Sequence, residues 1–292
     1  MKGRILITGS KGFTGRYVCA ELEQRGYEVY GLTNDFTVEG ESIDLRNRHA
    51  ISVVVSRLRP SGVIHLAAVA SVDHGSVSDF FDINVNGTRN LLDALSNVDC
   101  LKSVIVASSA NVYGNASLGK PITEDVIPLP QNPYAVSKLK MEEMIKKNYA
   151  YLPITIVRPF NYTGVGQPKN YLIPKIVDAF KRKEHVLNLG NLNISRDFSD
   201  VRFVSWAYAE LIDSCSSGDL INLCSGVSYS IGDIVDICSE LTKHQLKINS
   251  ESHLRRDNEV FYLRGDPTHM IKVLGKRSML NLHDTLHWML FS

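Results

Sequence analysis

The sequence predicts an α/β fold, a doubly wound parallel sheet carrying a smaller, interleaved C-terminal lobe. Three observations carry that prediction. The first half alternates apolar runs, without polar alternation, with segments of helical spacing. The first run enters a glycine-rich turn that opens a helix. After about Arg158 the rhythm loosens, and no second series of the same kind follows.

Arg4–Thr8, Glu28–Leu32, Val63–Ala67, Lys102–Ala107 and Ile154–Arg158 read as strands, since short wholly apolar runs are what a sheet covered on both faces requires. Thr14–Gln24, Ile51–Leu58, Phe80–Leu95 and Pro133–Asn148 have helical spacing and fall between them. Right-handed crossovers then wind helices onto both faces. Further on, Asn161–Asn170 is rich in Gly, Pro and Asn and reads as a loop. A helix near Leu172–Arg182, a polar segment Asn188–Asp200, a helix near Val204–Ser214 and a strand Leu220–Cys224 follow. The expected division is a nucleotide-binding domain over 1–160 and a ligand lobe over 161–292, with 197–224 returning to the first domain.

Of the 292 residues 44% are apolar, enough for a substantial core, and intrinsic disorder is excluded. With 32 Lys and Arg against 31 Asp and Glu, the net charge of +1 argues against nucleic acid as a partner. No stretch approaches the roughly 18 apolar residues of a membrane helix. The N-terminal apolar run is too short for a signal peptide. Five cysteines without a CxxC pair, and nine dispersed histidines, point to reduced thiols in a cytoplasmic chain with no metal. His65, inside a strand, reads as a core histidine.

The turn after the first strand carries Gly9, Gly12 and Gly15 in the spacing GxxGxxG. Glycines here let the backbone bend sharply and approach a pyrophosphate, which the helix N-terminus then attracts. The carboxylate that grips an adenosine ribose belongs at the end of the second strand, where Thr33 and Asn34 stand instead. That leans the reading to NADP(H) over NAD(H), with Asp35 as the acid if the turn runs one register longer.

Tyr134 and Lys138 are one helical turn apart and share a face. A neighbouring ammonium is expected to lower the tyrosine pKa toward working range. Ser108 and Ser109 end the fourth of the five strands, where open α/β sheets hold ligands. A hydroxyl there can hydrogen-bond an oxygen on which charge develops.

Taken with TGSKGFTG, HLAA, NVNGTRNLL, SSANVYG, YAVSK, FNYTGVGQ and SRDF, these residues resemble the extended short-chain dehydrogenase/reductase family of nucleotide-sugar enzymes, over nearly the whole chain. The later segments are most similar to the GDP-sugar branch. The resemblance implies a Rossmann sheet, a homodimer through paired helices, and an NAD(P)-dependent oxidoreductase. That enzyme would reduce the C4 ketone of a nucleotide-linked, GDP-linked 4-keto-6-deoxyhexose for surface polysaccharide synthesis, with a 4-epimerase retaining NAD as the alternative. Ser109, Tyr134 and Lys138 take the catalytic positions. Gly9, Gly12, Phe13, Thr14, Gly15, Thr33, Asn34, Asp44, Leu45, Leu66, Ala67, Ala68, Tyr134 and Lys138 take those around the cofactor. Ser108, Ser109, Asn111, Asn161, Arg196, Arg256 and Glu259 fall on the substrate side. Dehydratases of the family carry a carboxylate two positions after the catalytic hydroxyl, where this chain has Asn111, and a carboxamide cannot act as the acid or base of an elimination. Phe203 stands where related proteins have an acid.

Overall fold

The computed structural model describes residues 2–33, 41–70, 77–116, 119–214, 217–254, 260–277 and 280–292. In chain order the strands are β1 (Arg4–Thr8), β2 (Glu28–Thr33), β3 (Glu41–Ser42), β4 (Gly62–His65), β5 (Ser103–Ala107), β6 (Ile154–Pro159) and β7 (Asn161–Thr163). There follow β8 (Val186–Leu189), β9 (Ser195–Asp200), β10 (Leu220–Leu223), β11 (Ser228–Ser230), β12 (Lys247–Ser250) and β13 (Tyr262–Leu263). The helices that position the site are α1 (Phe13–Gln24), α2 (Arg48–Leu58), α3 (Val77–Phe81), α4 (Thr88–Leu95), α5 (Pro133–Asn148), α6 (Leu172–Lys181) and α7 (Val201–Ser214). Three more, α8 (Ile231–Thr242), α9 (Thr268–Leu274) and α10 (Leu282–Phe291), complete the described set.

Seven strands form an all-parallel sheet in the order β10-β6-β5-β4-β1-β2-β3. Its wholly apolar strands divide their side chains between two cores by the two-residue period. Leu6, Val63, Val104 and Val106 pack with α2, α4 and α5 through Val55, Leu91 and Met141. Ile5, Ile7, Ile64 and Ile105 face the other way, onto α1, α7 and α9 through Val18, Leu211 and Met270. Phe203 belongs to this second core: it is buried, with its ring centroid 5.6 Å from that of Trp206, so an apolar packing residue occupies the position of the missing acid.

Helices α6, α8 and α10 enclose a third core, with β8 and β12 beside them. The polar segment 188–200 is strand at both ends, β8 and β9, which its polarity concealed. Strand β9 pairs with β7, β11 and β13, so the presumed loop at 161–170 also begins as a strand. Its Asp197 is fully buried and accepts four hydrogen bonds, from the Ser225 amide and hydroxyl and from the Gly226 and Gly265 amides. From β9 the chain passes directly into α7 against the sheet, and β10 then joins the sheet edge beside β6.

The single helix expected over Phe80–Leu95 is divided. A π-helical turn, Asp82–Gly87, separates α3 from α4. Such a turn carries an extra residue and re-aims side chains without altering the apolar spacing, so the sequence pattern does not reveal it. Here it turns Asn84 inward: Oδ1 accepts from Val69 N at 2.9 Å, while Nδ2 donates to Val69 O and to Ser137 Oγ.

Candidate active site at the carboxyl edge of the sheet

Strand order reverses between β1 and β4, and the glycine turn lies just beyond their carboxyl ends. Gly9 has a φ of +73°, and a Cβ there would stand 2.9 Å from Ala67 N. At Gly15 a Cβ would meet Gly9 O at 2.1 Å. The turn therefore closes only with glycine at both places. Gly12 caps α1 with no side chain over the first-turn amides. Open amides at the positive end of a helix, in a cradle with no room for a Cβ, fit the pyrophosphate of a dinucleotide.

The other cofactor-side residues follow along the same edge. Leu66, Ala67 and Ala68 leave β4, with Ala67 N donating to Thr8 Oγ1 at 3.2 Å. Thr33 ends β2. Asp44 takes a two-pronged grip from Arg46 Nε and NH2, at 2.9 and 2.6 Å, which holds its carboxyl below the usual range. Leu45 is buried beneath Gly87. Asn34 and Asp35 lie outside the described residues.

His65 joins these pieces from below. Thr88 donates to Asn84 O at 2.7 Å, so its oxygen accepts from His65 Nε2–H at 2.8 Å, leaving Nδ1 to accept from Thr8 at 2.6 Å. Burial pushes the imidazole pKa down to about 3, and a neutral ring with one proton satisfies every partner.

Asn132 caps α5 by accepting from Ala135 N at 2.9 Å, and Pro133 occupies the first turn. Tyr134 then comes close enough to Ser109 for that hydroxyl to lower its pKa. Lys138 is buried and donates from Nζ to Ala107 O at 2.7 Å. The expected lowering of the tyrosine pKa is absent. Burial pushes the phenol up, and the Ser109 hydrogen bond offsets only part of that. Lys138 is turned onto the Ala107 carbonyl, and burial brings its own pKa down to about 8 against the opposing charge of Glu142.

A small pocket opens beside Ser109. Its polar wall is Ser109, Asn111 and Asn161, and its apolar wall includes Ala110, Phe160 and Leu263. Among the described residues none of its lining side chains is ionisable. Ser108 does not line it: the hydroxyl donates to Glu142 Oε1 at 2.5 Å, inside the protein. Arg196 lies further along β9, hydrogen-bonding the carbonyls of Ser195 and Val260. Arg256 and Glu259 lie outside the described residues.

Several site-forming residues escaped the sequence reading. Glu142 and Arg158 form a buried ion pair next to Ser108, and the i+4 step from Lys138 to Glu142 was the available signal. Tyr162 hydrogen-bonds Thr14 at 2.7 Å and stacks on Phe13, joining the glycine turn to the strand that begins with Asn161. Tyr113 donates to Asn222 Oδ1 at 2.7 Å beneath the pocket. These depend on pairings 109 and 148 residues apart in the chain, which no local pattern encodes.

Among the described residues no helix is long and apolar enough to cross a membrane, and no group of three His, Cys, Asp or Glu could hold a metal ion. A model of the NAD dependent epimerase/dehydratase family matches residues 5–224. The GDP-6-deoxy-D-talose 4-dehydrogenase of Aggregatibacter actinomycetemcomitans is 35% identical over 93% of this chain and 91% of its own. The GDP-6-deoxy-D-mannose reductase of Pseudomonas aeruginosa is 30% identical over 99% and 92%. The structure of RMD from Pseudomonas aeruginosa complexed with NADPH superposes with a TM-score of 0.87 at 28% identity, covering 99% of this chain and 97% of that one.

Proposed function

Given that the chain belongs to the NAD dependent epimerase/dehydratase family, we propose that it is an NAD(P)H-dependent reductase acting on the C4 ketone of a GDP-linked 4-keto-6-deoxyhexose. The observation that speaks against elimination is Asn111 in the pocket wall, a carboxamide where dehydratases of the family carry a carboxylate. Reduction over epimerisation is supported by the two relatives named as a dehydrogenase and a reductase. Reduction asks the protein for one proton only, and Tyr134 holds one. The GDP sugar is supported by the names of the two relatives at 35% and 30% identity.

The bound nicotinamide supplies the two electrons as hydride. The chain's own residues do the rest. Tyr134 gives its proton to the C4 oxygen as negative charge develops there, and a phenol whose pKa is raised by burial still transfers downhill to an alkoxide. Ser109 donates to the same oxygen. Lys138 holds the cofactor's ribose. Asn161, Arg196 and Arg256 serve the diphosphate, where a guanidinium fork suits phosphate oxygens, and Glu259 positions Arg256 or meets the nucleotide ribose. Thr33 and Asn34 in place of a ribose-gripping acid support NADP(H), as does the NADPH in the Pseudomonas structure. A second copy covers the half-apolar groove between α5 and the turn 82–87, where Phe81, Val85 and Met144 lie among Arg89, Lys140 and Lys147. The setting assigned is the cytoplasm.

The test is the fading of reduced-nicotinamide absorbance with GDP-4-keto-6-deoxymannose, using NADPH or NADH, with UDP-, dTDP- and CDP-linked 4-keto sugars alongside. Stoichiometric loss with the GDP sugar is expected, and NMR of the product fixes its C4 configuration. Loss with another nucleotide alone would overturn the GDP assignment. No loss with any, while NAD stays bound, would make the protein an epimerase. Tyr134→Phe is expected to lower turnover by roughly 10²–10⁴-fold; near-full turnover would remove Tyr134 from the chemistry.

A further inference from the structure

Three successive residues at the end of β5 are held by three successive turns of α5. Lys138 Nζ donates to Ala107 O at 2.7 Å, Ser108 donates to Glu142 Oε1 at 2.5 Å, and the Ser109 hydroxyl acts on the Tyr134 phenol, holding its pKa lower than burial alone would. Tyr134, Lys138 and Glu142 are spaced i, i+4 and i+8, on one helix face. Glu142 is only 1% exposed, and Arg158 clamps both its oxygens, from Nε at 2.9 Å and NH2 at 2.5 Å. Arg158 is fixed in turn over the ring of Tyr113, 4.6 Å from its centroid.

A buried ion pair contributes little net stability, since well-packed apolar residues of the same volume often do as well or better. A role in the site accounts for this one. Lys138 is 2% exposed, and a dry ammonium tends to shed its proton. The titratable groups around it are few. Tyr134 and Glu142 face it from α5, His65 faces it from β4 and is neutral, and Arg158 of β6 lies on the far side of Glu142.

We propose that Glu142 is a positioning residue: it locks the register of α5 on β5, so that Ser109 and Tyr134 meet, and its charge keeps Lys138 an ammonium in a water-poor site. The proposal rests on the reading of Ser109, Tyr134 and Lys138 as the reacting set.

The test combines Glu142→Gln, Glu142→Asp, the double change Glu142→Gln with Arg158→Gln, which leaves no orphan guanidinium, and Ser108→Ala. Two readouts are followed. One is the NMR titration of the Lys138 side chain in ¹⁵N-lysine-labelled protein, which needs no substrate. The other is the pH profile of turnover. In the Gln variants Lys138 is expected to titrate about one pH unit lower, which is tenfold in the proton equilibrium. The alkaline limb of kcat moves with it, and Glu142→Asp restores both. Ser108→Ala leaves the titration in place and lowers kcat with little change in KM. Should neither Gln variant fold, Ser108→Ala and Glu142→Asp decide the matter. A Lys138 titration unmoved in a folded Gln variant would overturn the electrostatic half of the proposal, and full kcat in Ser108→Ala would overturn the register half. Full turnover in Tyr134→Phe would instead strike the underlying reading, while the lysine titration would still judge Glu142.

Discussion

Replacing Gly15 by alanine should break cofactor binding while leaving the rest of the fold in place. The added Cβ would stand 2.1 Å from Gly9 O and 2.7 Å from both Ser10 Cα and Ser10 O, all of them backbone atoms. Comfortable separation is about 3.5 Å, so α1 and the turn must part by about 1.4 Å. Overpacking of this kind costs about 1–3 kcal/mol. If that cost falls on the seat for the pyrophosphate, NADPH affinity drops roughly 5- to 150-fold. Gly12→Ala is a graded comparison, because its nearest atom, Gly9 O, is 3.2 Å away, and it should weaken binding by a smaller factor. Gly232→Ala in α8, whose closest neighbour is Ser230 Oγ at 3.5 Å, should leave affinity unchanged. The assay is quenching or enhancement of NADPH fluorescence on titration, with thermal denaturation of the cofactor-free proteins to separate folding from binding. Wild-type affinity in a folded Gly15→Ala protein would refute the assignment of this turn as the phosphate seat.

The remaining expectations concern the buried polar groups. His65 is held near a pKa of about 3 against an ordinary 6.5, so the unfolded chain binds the extra proton between those values and stability falls as pH drops through that window; His65→Gln should show a shallower acid decline in Tm. Lys138, at about 8 against an ordinary 10.5, gives opposite trends above pH 8. Turnover should fall as the ammonium is lost, while this group's contribution to stability rises up to about pH 10.5, because there the unfolded chain binds more protons; Lys138→Met should remove both trends. Tyr113→Phe leaves Asn222 Oδ1 without its buried donor, for a loss of about 1–3 kcal/mol in chemical denaturation; an unchanged midpoint would mean that another donor replaces it.

Much of the parallel sheet was legible because its inner strands are largely apolar and most of its helices keep one period; apart from the divided helix at 80–95 and the short β3, the edges of these elements moved by only a few residues. The glycine turn and the pair Tyr134 and Lys138 were legible because each is a local pattern. Features that depend on distant partners were not. Strand β9 spells SRDFSD, a polar string that becomes a strand only because β7, β11 and β13 surround it. The burial of Ser108 against Glu142 could not be separated from exposure at the strand end by sequence alone. The pKa of Tyr134 was expected to follow its nearest charge in the chain, and it follows its burial instead.

Strand β9 also bears on how reliably the lobe assembles. Successive side chains of a strand point to opposite faces, and here the successive residues are Arg196 and Asp197. A one-position slip that brings Arg196 to the place of Asp197 would draw a guanidinium into a dry slot lined by amide donors and push out a carboxylate that accepts four hydrogen bonds. An apolar strand could tolerate such an error for a time. This one cannot, because a guanidinium in that slot would set donors against donors. Two adjacent residues of opposite charge thus set the native alignment of β9 apart from that slip in energy.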